Sequence, residues 1–567
     1  MIQYHSMCPD LGDYFISTHH RLQTLYLPTV LCTMNTKSTG PTVYKMEVGV
    51  RIVGIVLRVL NFILAPLFWL RGRNQDSLRV PPVRDAVLLQ SASQLAAAIR
   101  SGKLSSEEVV TSFIERIKEV NPLLNAMVQE IFSTALAQAK EIDLMLQEVR
   151  VKGQMDELVL TKPLLGVPFT VKESCSLSGM SNSVGCLEHQ GRVALKDGDA
   201  VSLVKRAGAI PLLVSNTPEL CLGWETTNLL NGTTNNPYRL NTTPGGSSGG
   251  EAALLASGAS PLSVSSDIAG SIRVPAAYCG VFGHKPTPGV ISIEGHVPTL
   301  TDENYPKFLT VGPMTRYAED LPLVLSIMAA EEAHKLSLHR PVSVNQLRIY
   351  HMTEAANTAA LVGVHPAIQN AVRKAADYLH KCGATLCDEK FVELEESVEM
   401  SVSVFFAMKD IPNMLQDPLD PKHEKNLLVE IMKYFCGNGS RSLQALGFAL
   451  LREKLLFIPR RRLKHHRERA SRLKTIMTEK LGSDGVFLYP VHSSLAHYHH
   501  QVFLRASGVM YSMLFNVLGF PATVVPMGMH QGLPVAIQVI AAPYQDRLCL
   551  AVAKQLEEGF GGWQPIV

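Results

Sequence analysis

LLGVPFTV (residues 164–171), AVSLVKRAG (200–208), AIPLLVS (209–215), EAALLASG (251–258) and PLSVSSD (261–267) alternate short apolar runs with stretches of helical period. A parallel strand covered on both sides is a near-continuous apolar run and needs a crossover to reach its neighbour. Strand, helix, strand repeated in this way therefore predicts an α/β fold, with a central mixed, mainly parallel β-sheet covered by helices on both faces. The first run leads straight into Lys172, at the carboxyl end of a strand, where open α/β sheets hold their ligands. PGGSSGGE (244–251) then forms a glycine-serine loop ahead of the second helix. DIAGSIRVP (267–275) sets Ser271 behind the Ala269-Gly270 pair, one helix-strand unit later.

Outward from this unit, Ser105 and Glu108 stand at capping-box spacing. Val109, Val110, Phe113, Ile114 and Ile117 share one helical face until Asn121-Pro122, where the helix is expected to stop. No boundary is visible from Ala86 onward, so residues 86–567 read as one large catalytic domain. Residues 73–85, with Pro81 and Pro82, read as an extended linker. Before it, IVGIVLRVLNFILAPLFWL (52–70) is apolar except for Arg58 and Asn61. It is about as long as the ~20 residues a bilayer core requires, and residues 46–72 are expected to form a membrane segment. Arg58 and Pro66 in its interior leave a monotopic, interfacial arrangement open beside a single-pass one. Arg71, Arg73, Arg79 and Arg84 follow where a signal peptide would have small residues, and they favour a cytosolic catalytic side. Residues 1–45 lack periodicity and carry Met7 and Met34; they are expected to be a disordered extension, or to be absent if translation starts later.

With 53 Lys+Arg against 50 Asp+Glu the net charge is +3. No excess of positive field is available to hold a phosphate backbone, so nucleic acid is not an expected partner. Hydrophobic residues at 46% against charged residues at 18% give a large core and apolar surface besides, as a membrane-associated protein would have. The 10 cysteines include no C-x-x-C pair, which predicts mostly free thiols and no structural metal. Sequons at Asn231 and Asn241 flank the glycine-serine loop, where a glycan would obstruct a site; together with Asn438 they read as chance matches.

The chemistry rests on three residues taken together. A lysine ending a strand is usually a solvated charge, and a glycine-serine loop is usually a turn. A serine hydroxyl, however, becomes a nucleophile once a base removes its proton. A lysine can be that base when burial favours its neutral amine, and a second serine can pass the proton between them.

LLGVPFTVKES, PGGSSGGEAAL and SDIAGSIRVPAAYCGVFGHKPTPG resemble the amidase signature family of serine hydrolases, as does GLPVAIQVIAAPYQDRLCLAVAKQLE from Gly532. NNPY, YAEDL, DGVFLYP and GFGGW point, within that family, to the branch that hydrolyses fatty-acid amides and carries a membrane anchor. The resemblance implies a Ser-Ser-Lys triad in which Ser271 is the nucleophile, Ser247 the bridging serine and Lys172 the base. It also implies an oxyanion hole built from backbone N–H groups of Ile268, Ala269, Gly270 and Ser271, and a substrate-contacting role for Cys221. It implies no cofactor, a lipophilic amide substrate, membrane lipid as a partner, a possible homodimer, and an endomembrane or lipid-droplet location. Ala269 stands where many members have glycine, so a loop that required positive φ there would be strained.

GGSSG and GSSGG both satisfy G-x-S-x-G, but polar NNPYRLNTTP precedes them where a nucleophile elbow needs an apolar strand. No G-K-[ST] follows to make a phosphate loop. His492, His497, His499 and His500 lack carboxylate or thiolate partners in register for a metal and read as packing or surface histidines. PRRRLKHHRER (459–469) reads first as a solvated helix face and second as a basic membrane-surface patch. SVSVFFAM (401–408) suits either an acyl channel or the core. The reading from another class is a catalytically silent amidase fold that binds lipid, with Ala269 its only support.

Overall fold

Thirteen strands among the described residues carry the architecture: β1 (Met127–Glu130), β2 (Pro168–Lys172), β3 (Ile210–Ser215), β4 (Thr227–Asn228), β5 (Gly232–Thr233), β6 (Leu262–Asp267), β7 (Phe282–Lys285), β8 (Thr310–Thr315), β9 (Arg348–His351), β10 (Thr385–Cys387), β11 (Gly485–Pro490), β12 (Ala522–His530) and β13 (Leu533–Ala541). The structure, a computed structural model, describes residues 47–152, 155–355, 358–416, 424–454 and 458–567. The extension over residues 1–45 expected to be disordered lies outside them. β4 and β5 form a separate hairpin, and the other strands make one sheet in the order β1-β3-β2-β6-β8-β7-β12-β13-β11-β9-β10.

The sheet is mixed. It is parallel in two runs, β3-β2-β6 and β11-β9-β10, and antiparallel where the remaining strands join them. The apolar runs read from the sequence supply the first parallel run. Every residue of β2, β3 and β6 is buried, because helices cover both faces.

The helices that position the site or dock on it are α1 (Val48–Gly72), α2 (Ser106–Leu124), α3 (Asp199–Arg206), α4 (Gly249–Ala256), α5 (Arg273–Cys279), α6 (Ser397–Phe405), α7 (Leu427–Phe435), α8 (Leu463–Leu481) and α9 (Met510–Leu518). α2 begins at the expected Ser105–Glu108 capping box but runs through Pro122 to Leu124. A proline in the last turn forfeits only one backbone bond. The chain leaves the helix at Asn125, which takes the left-handed conformation at φ 51°, while Asn121 Oδ1 accepts from the Ala126 and Met127 N–H groups.

Residues 73–85 are fastened to the domain. Val80 is buried and its N–H donates to Pro237 O, Val83 N–H donates to Ile566 O, and the buried Arg116 donates to Pro81 O at 2.7 Å.

α1 lies against the domain along its length. Glu47, just ahead of it, accepts from Arg462 Nε at 2.6 Å and pairs with His466 Nε2 at 2.8 Å. One turn on, Arg51 pairs with Glu399. Gly54 packs so closely that a Cβ there would stand 2.2 Å from Ala359 O. Arg58 donates through Nε to Leu361 O at 2.9 Å and through Nη2 to Thr358 O at 3.0 Å. At the far end Asn241 Nδ2 donates to Gly72 O at 2.9 Å. Residues 47, 51, 54 and 58 fall on one stripe of a 3.6-residue helix. Away from that stripe Ile52, Val59, Ile63 and Leu67 are exposed, and so are Ile55 and Phe62 along its margin. α1 extends into a short 3₁₀ turn to Gln75, and among the described residues this is the one helix long and apolar enough to cross a membrane.

Candidate active site

β2 and β6 are parallel neighbours, paired through Thr170 with Ser263 and Val171 with Val264. Their carboxyl ends therefore emerge side by side, delivering Lys172 from one and Ser266-Asp267 from the other. The glycine-serine loop runs past the same edge into α4, which begins at Gly249 directly after Ser247 and Ser248. Lys172 is fully buried, and its Nζ lies 2.7 Å from Ser247 Oγ and 3.1 Å from Ser266 Oγ. The peptide bond ahead of Ser247 is cis. Ser248 N–H donates to Ser271 O at 3.1 Å, which ties the loop after β6 to the start of α4. Ser271 itself is only 3% exposed. The structure thus joins Lys172 to Ser247 by a hydrogen bond and brings the Ser271 backbone against the residue that follows Ser247.

The loop from Ile268 to Ser271 is shaped by Asp267. Its carboxylate accepts from Gly270 N–H at 2.8 Å and Ile272 N–H at 3.1 Å, and it is clamped by Arg273 through Nε and Nη2, each at 3.0 Å. Burial alone would raise the Asp267 pKa, but the adjoining Arg273 guanidinium, assisted by Asn516, holds it well below the usual carboxylate range. Arg273 is in turn held by Ser512 O at 2.8 Å and Gln538 Oε1 at 3.1 Å. A buried charge this fully paired is a fixed strut, and losing either member would strand the other.

Gly270, at φ +94°, carries the special backbone conformation, whereas Ala269 is not among the residues of positive φ, so alanine is unstrained there. And the Gly270 N–H, expected in the oxyanion hole, is spent on Asp267. Among the described residues the N–H groups of Ile268, Ala269 and Ser271 have no partner.

Beside the loop, Ala269 packs into an apolar cluster with Tyr305, Phe308, Phe405, Met408 and Met513. Trp224 closes on it, Nε1–H donating to Ala269 O at 3.1 Å. Residues 401–408 therefore pack two ways: Val402 of α6 meets Val50 of α1, Ala360 and Ile458, while its last residue Phe405, with Met408 beyond it, meets the loop. Cys221 is half-buried at φ +60°; its thiol lies 3.4 Å from Thr217 Oγ1, and among the described residues no hydrogen bond joins it to Lys172, Ser247 or Ser271. The eight described cysteines are all free thiols.

Three of the four clustered histidines are committed to protein partners. His492 Nδ1 lies 2.9 Å from the Tyr278 hydroxyl, His497 Nδ1 meets Tyr498 O and His499 Nδ1 meets Glu225 at 2.6 Å. Among the described residues one group of three could approach a metal, Glu396 with His465 and His466. There Arg469 holds Glu396 at 2.8 Å and Glu47 holds His466.

Sequence reasoning passed over Ser266, Asp267, Arg273, His296 and Trp224. Only Asp267 and Arg273 carried a signal: opposite charges six residues apart in an otherwise apolar stretch, which can be buried only as a pair.

A glycine-serine loop and a buried lysine thus meet at the carboxyl edge of a mixed sheet. The family model Amidase matches residues 108–550. Fatty-acid amide hydrolase 2-A of Danio rerio is 39% identical over 527 residues, covering 91% of this chain and 97% of that protein. Fatty-acid amide hydrolase 2 of Homo sapiens is 38% identical, covering 90% and 98%. A solved fatty acid amide hydrolase structure shares the fold, with a TM-score of 0.66 at 22% identity over 84% of this chain and 86% of that one. The chain belongs to the amidase signature family and is an amide hydrolase.

Proposed function

We propose that this chain is a membrane-associated serine amidase that hydrolyses lipophilic, fatty-acid amides to free acid and amine through a Ser271 acyl-enzyme. The observation that carries the triad is the buried Lys172 Nζ at 2.7 Å from Ser247 Oγ, beside the loop that bears Ser271. Neutral Lys172 accepts the Ser247 proton as Ser247 accepts that of Ser271, and Ser271 Oγ attacks the amide carbonyl. The negative oxygen is received by N–H groups of Ile268, Ala269 and Ser271, the donors left without partners; each such donor typically contributes about 2.7–4 kcal/mol in catalysis. The proton returns through Ser247 to the departing amine, and water then releases the acid. Ala269 without positive φ removes the one support of a silent, lipid-binding fold.

The apolar cluster around Ala269, Phe405, Met408 and Met513 supports an acyl chain as the substrate's apolar part, as do the relatives named for fatty-acid amides. α1 supports membrane association of a monotopic kind. Both its ends touch the same domain although 25 residues of helix span about 37 Å, so the helix lies along the surface with its outer apolar face toward lipid.

The test is hydrolysis of a long-chain primary amide and an N-acylethanolamine by detergent-purified wild type beside Ser271→Ala. Acid release by the wild type alone is expected. Turnover by Ser271→Ala at the wild-type rate would remove the nucleophile assignment, and failure on both lipids with turnover of short aryl amides would remove the substrate class.

A further inference from the structure

On the side of Lys172 away from Ser247 runs a second series of buried polar groups that the proton relay does not use. Ser266 Oγ is 3.1 Å from Lys172 Nζ, and His296 Nε2 is 2.9 Å from Ser266 Oγ. His296 Nδ1 is 3.2 Å from Pro298 O and 3.3 Å from the Tyr305 hydroxyl, which itself donates to Pro298 O. Ser266 and His296 are buried to 2% and 4% exposure. Ser266 is the last residue but one of β6, while His296 arrives from a loop after β7. Nothing local in the sequence links them.

The direction of each hydrogen bond follows from what each atom can do. Pro298 O is a carbonyl and only accepts, so His296 Nδ1 carries the hydrogen. Burial, the largest cause, pushes the imidazole pKa well down, so the ring is neutral near neutral pH and Nε2 is a bare acceptor. The single proton of the Ser266 hydroxyl goes to that acceptor. Ser266 then has only lone pairs to offer Lys172, and the amine must donate an N–H to it. A neutral amine has two N–H bonds and one lone pair. With an N–H committed to Ser266, the lone pair is left for the Ser247 hydroxyl at 2.7 Å.

We propose that His296 is a positioning residue for catalysis, which through Ser266 orients the Lys172 amine so that its lone pair is reserved for Ser247. The inference rests on the triad reading above and adds to it what keeps the base pointed along the relay. Without His296 the Ser266 hydroxyl is free to turn its own proton into the Lys172 lone pair, where it competes with Ser247.

The experiment uses the full chain in detergent and two readouts: the rate at which a fluorophosphonate probe labels Ser271, and kcat and KM on a long-chain primary amide. His296→Leu is expected to slow labelling and lower kcat by roughly tenfold, the effect of one misdirected hydrogen bond. His296→Gln, whose amide can accept from Ser266 and donate to Pro298 O, should recover to within about threefold of wild type on the same reasoning. Adding Ser266→Ala to His296→Leu should raise the rate above that of His296→Leu alone, because the competing donor is gone. His296→Leu at the wild-type rate, or a double variant as slow as His296→Leu, would overturn the proposal, the latter because a merely structural histidine gains nothing from loss of the Ser266 hydroxyl. If His296→Leu does not fold, His296→Asn, too short to reach both partners, takes its place. Labelling of wild-type Ser271 without fatty-amide turnover would strike the substrate class and leave this inference standing on the labelling rates. Absence of Ser271 labelling in the wild type would overturn both.

Discussion

Gly270 and Ala269 are adjacent and differ by one methyl group, yet they carry opposite burdens. At Gly270 the backbone sits at φ +94°, and an added Cβ would stand 2.9 Å from Ser512 Cβ. A side chain there combines strain of about 1–3 kcal/mol with a push on the helix that steadies Arg273. Ala269 has no such conformation to sustain and turns its methyl toward the apolar cluster. Gly270→Ala is therefore expected to lower kcat by well over tenfold, whereas Ala269→Gly should cost far less; steady-state kinetics on the two variants decide it, and equal losses would show that the loop is not held by Gly270. Lys172, the Ser247-Ser248 pair and Ser271 stood out in the sequence because each sits at a punctuation mark, a strand end or a glycine-serine turn, that a linear reading detects; the family resemblance alone picked Ser247 from the pair. Ser266 and His296 did not, because a distant loop supplies His296; the Asp267–Arg273 pair carried a signal, but the groups that hold Arg273 in place, Ser512 and Asn516 from α9 and Gln538 from β13, are tertiary.

At the scale of elements, α1 shows why an apolar run can be legible while its disposition is not. Composition marks residues 52–70 as membrane-seeking, but Glu47, Arg51, Gly54 and Arg58 mean little until the stripe they form finds Glu399, Ala359 and Leu361. An arginine within an apolar helix is costly in lipid; here the Arg58 guanidinium meets two backbone carbonyls of the domain instead. The same limit applied to α2, where Pro122 was legible as a stop but the true cap at Asn125 depends on Asn121 reaching over the next turn. The docking of α1 has one steric key. Gly54→Leu places a side chain where even a Cβ would lie 2.2 Å from Ala359 O, so the first half of the helix must lift away. Amide hydrogen exchange in detergent over residues 48–58 is expected to rise in this variant while turnover of a soluble amide persists. Unchanged protection would mean that the helix does not rest on this surface in solution.

For the whole molecule, the proposed membrane face is built from α1 and the elements beside it. The outer face of α1 is a continuous apolar strip, and α7 adds exposed Leu428, Met432 and Phe435. Val502–Arg505 touches α1, and its Val502 lines a small pocket with Tyr434 of α7. The exposed Arg460, Arg461 and Lys464 stand at the start of α8, whose neighbour Arg462 grips Glu47 at the head of α1. An apolar strip flanked by cations suits the headgroup boundary of an anionic leaflet. It does not suit a helix crossing the bilayer, since crossing would put the Glu47 end on the far side of the membrane from the domain and break its contacts with Arg462 and His466. Sidedness separates the two arrangements. With one epitope tag ahead of Glu47 and another after Val567, both tags are expected on the same face of sealed microsomes, equally protected or equally digested by added protease. Tags on opposite faces would show a spanning helix, and the domain would then have to release Arg51 and Arg58 to reach the membrane.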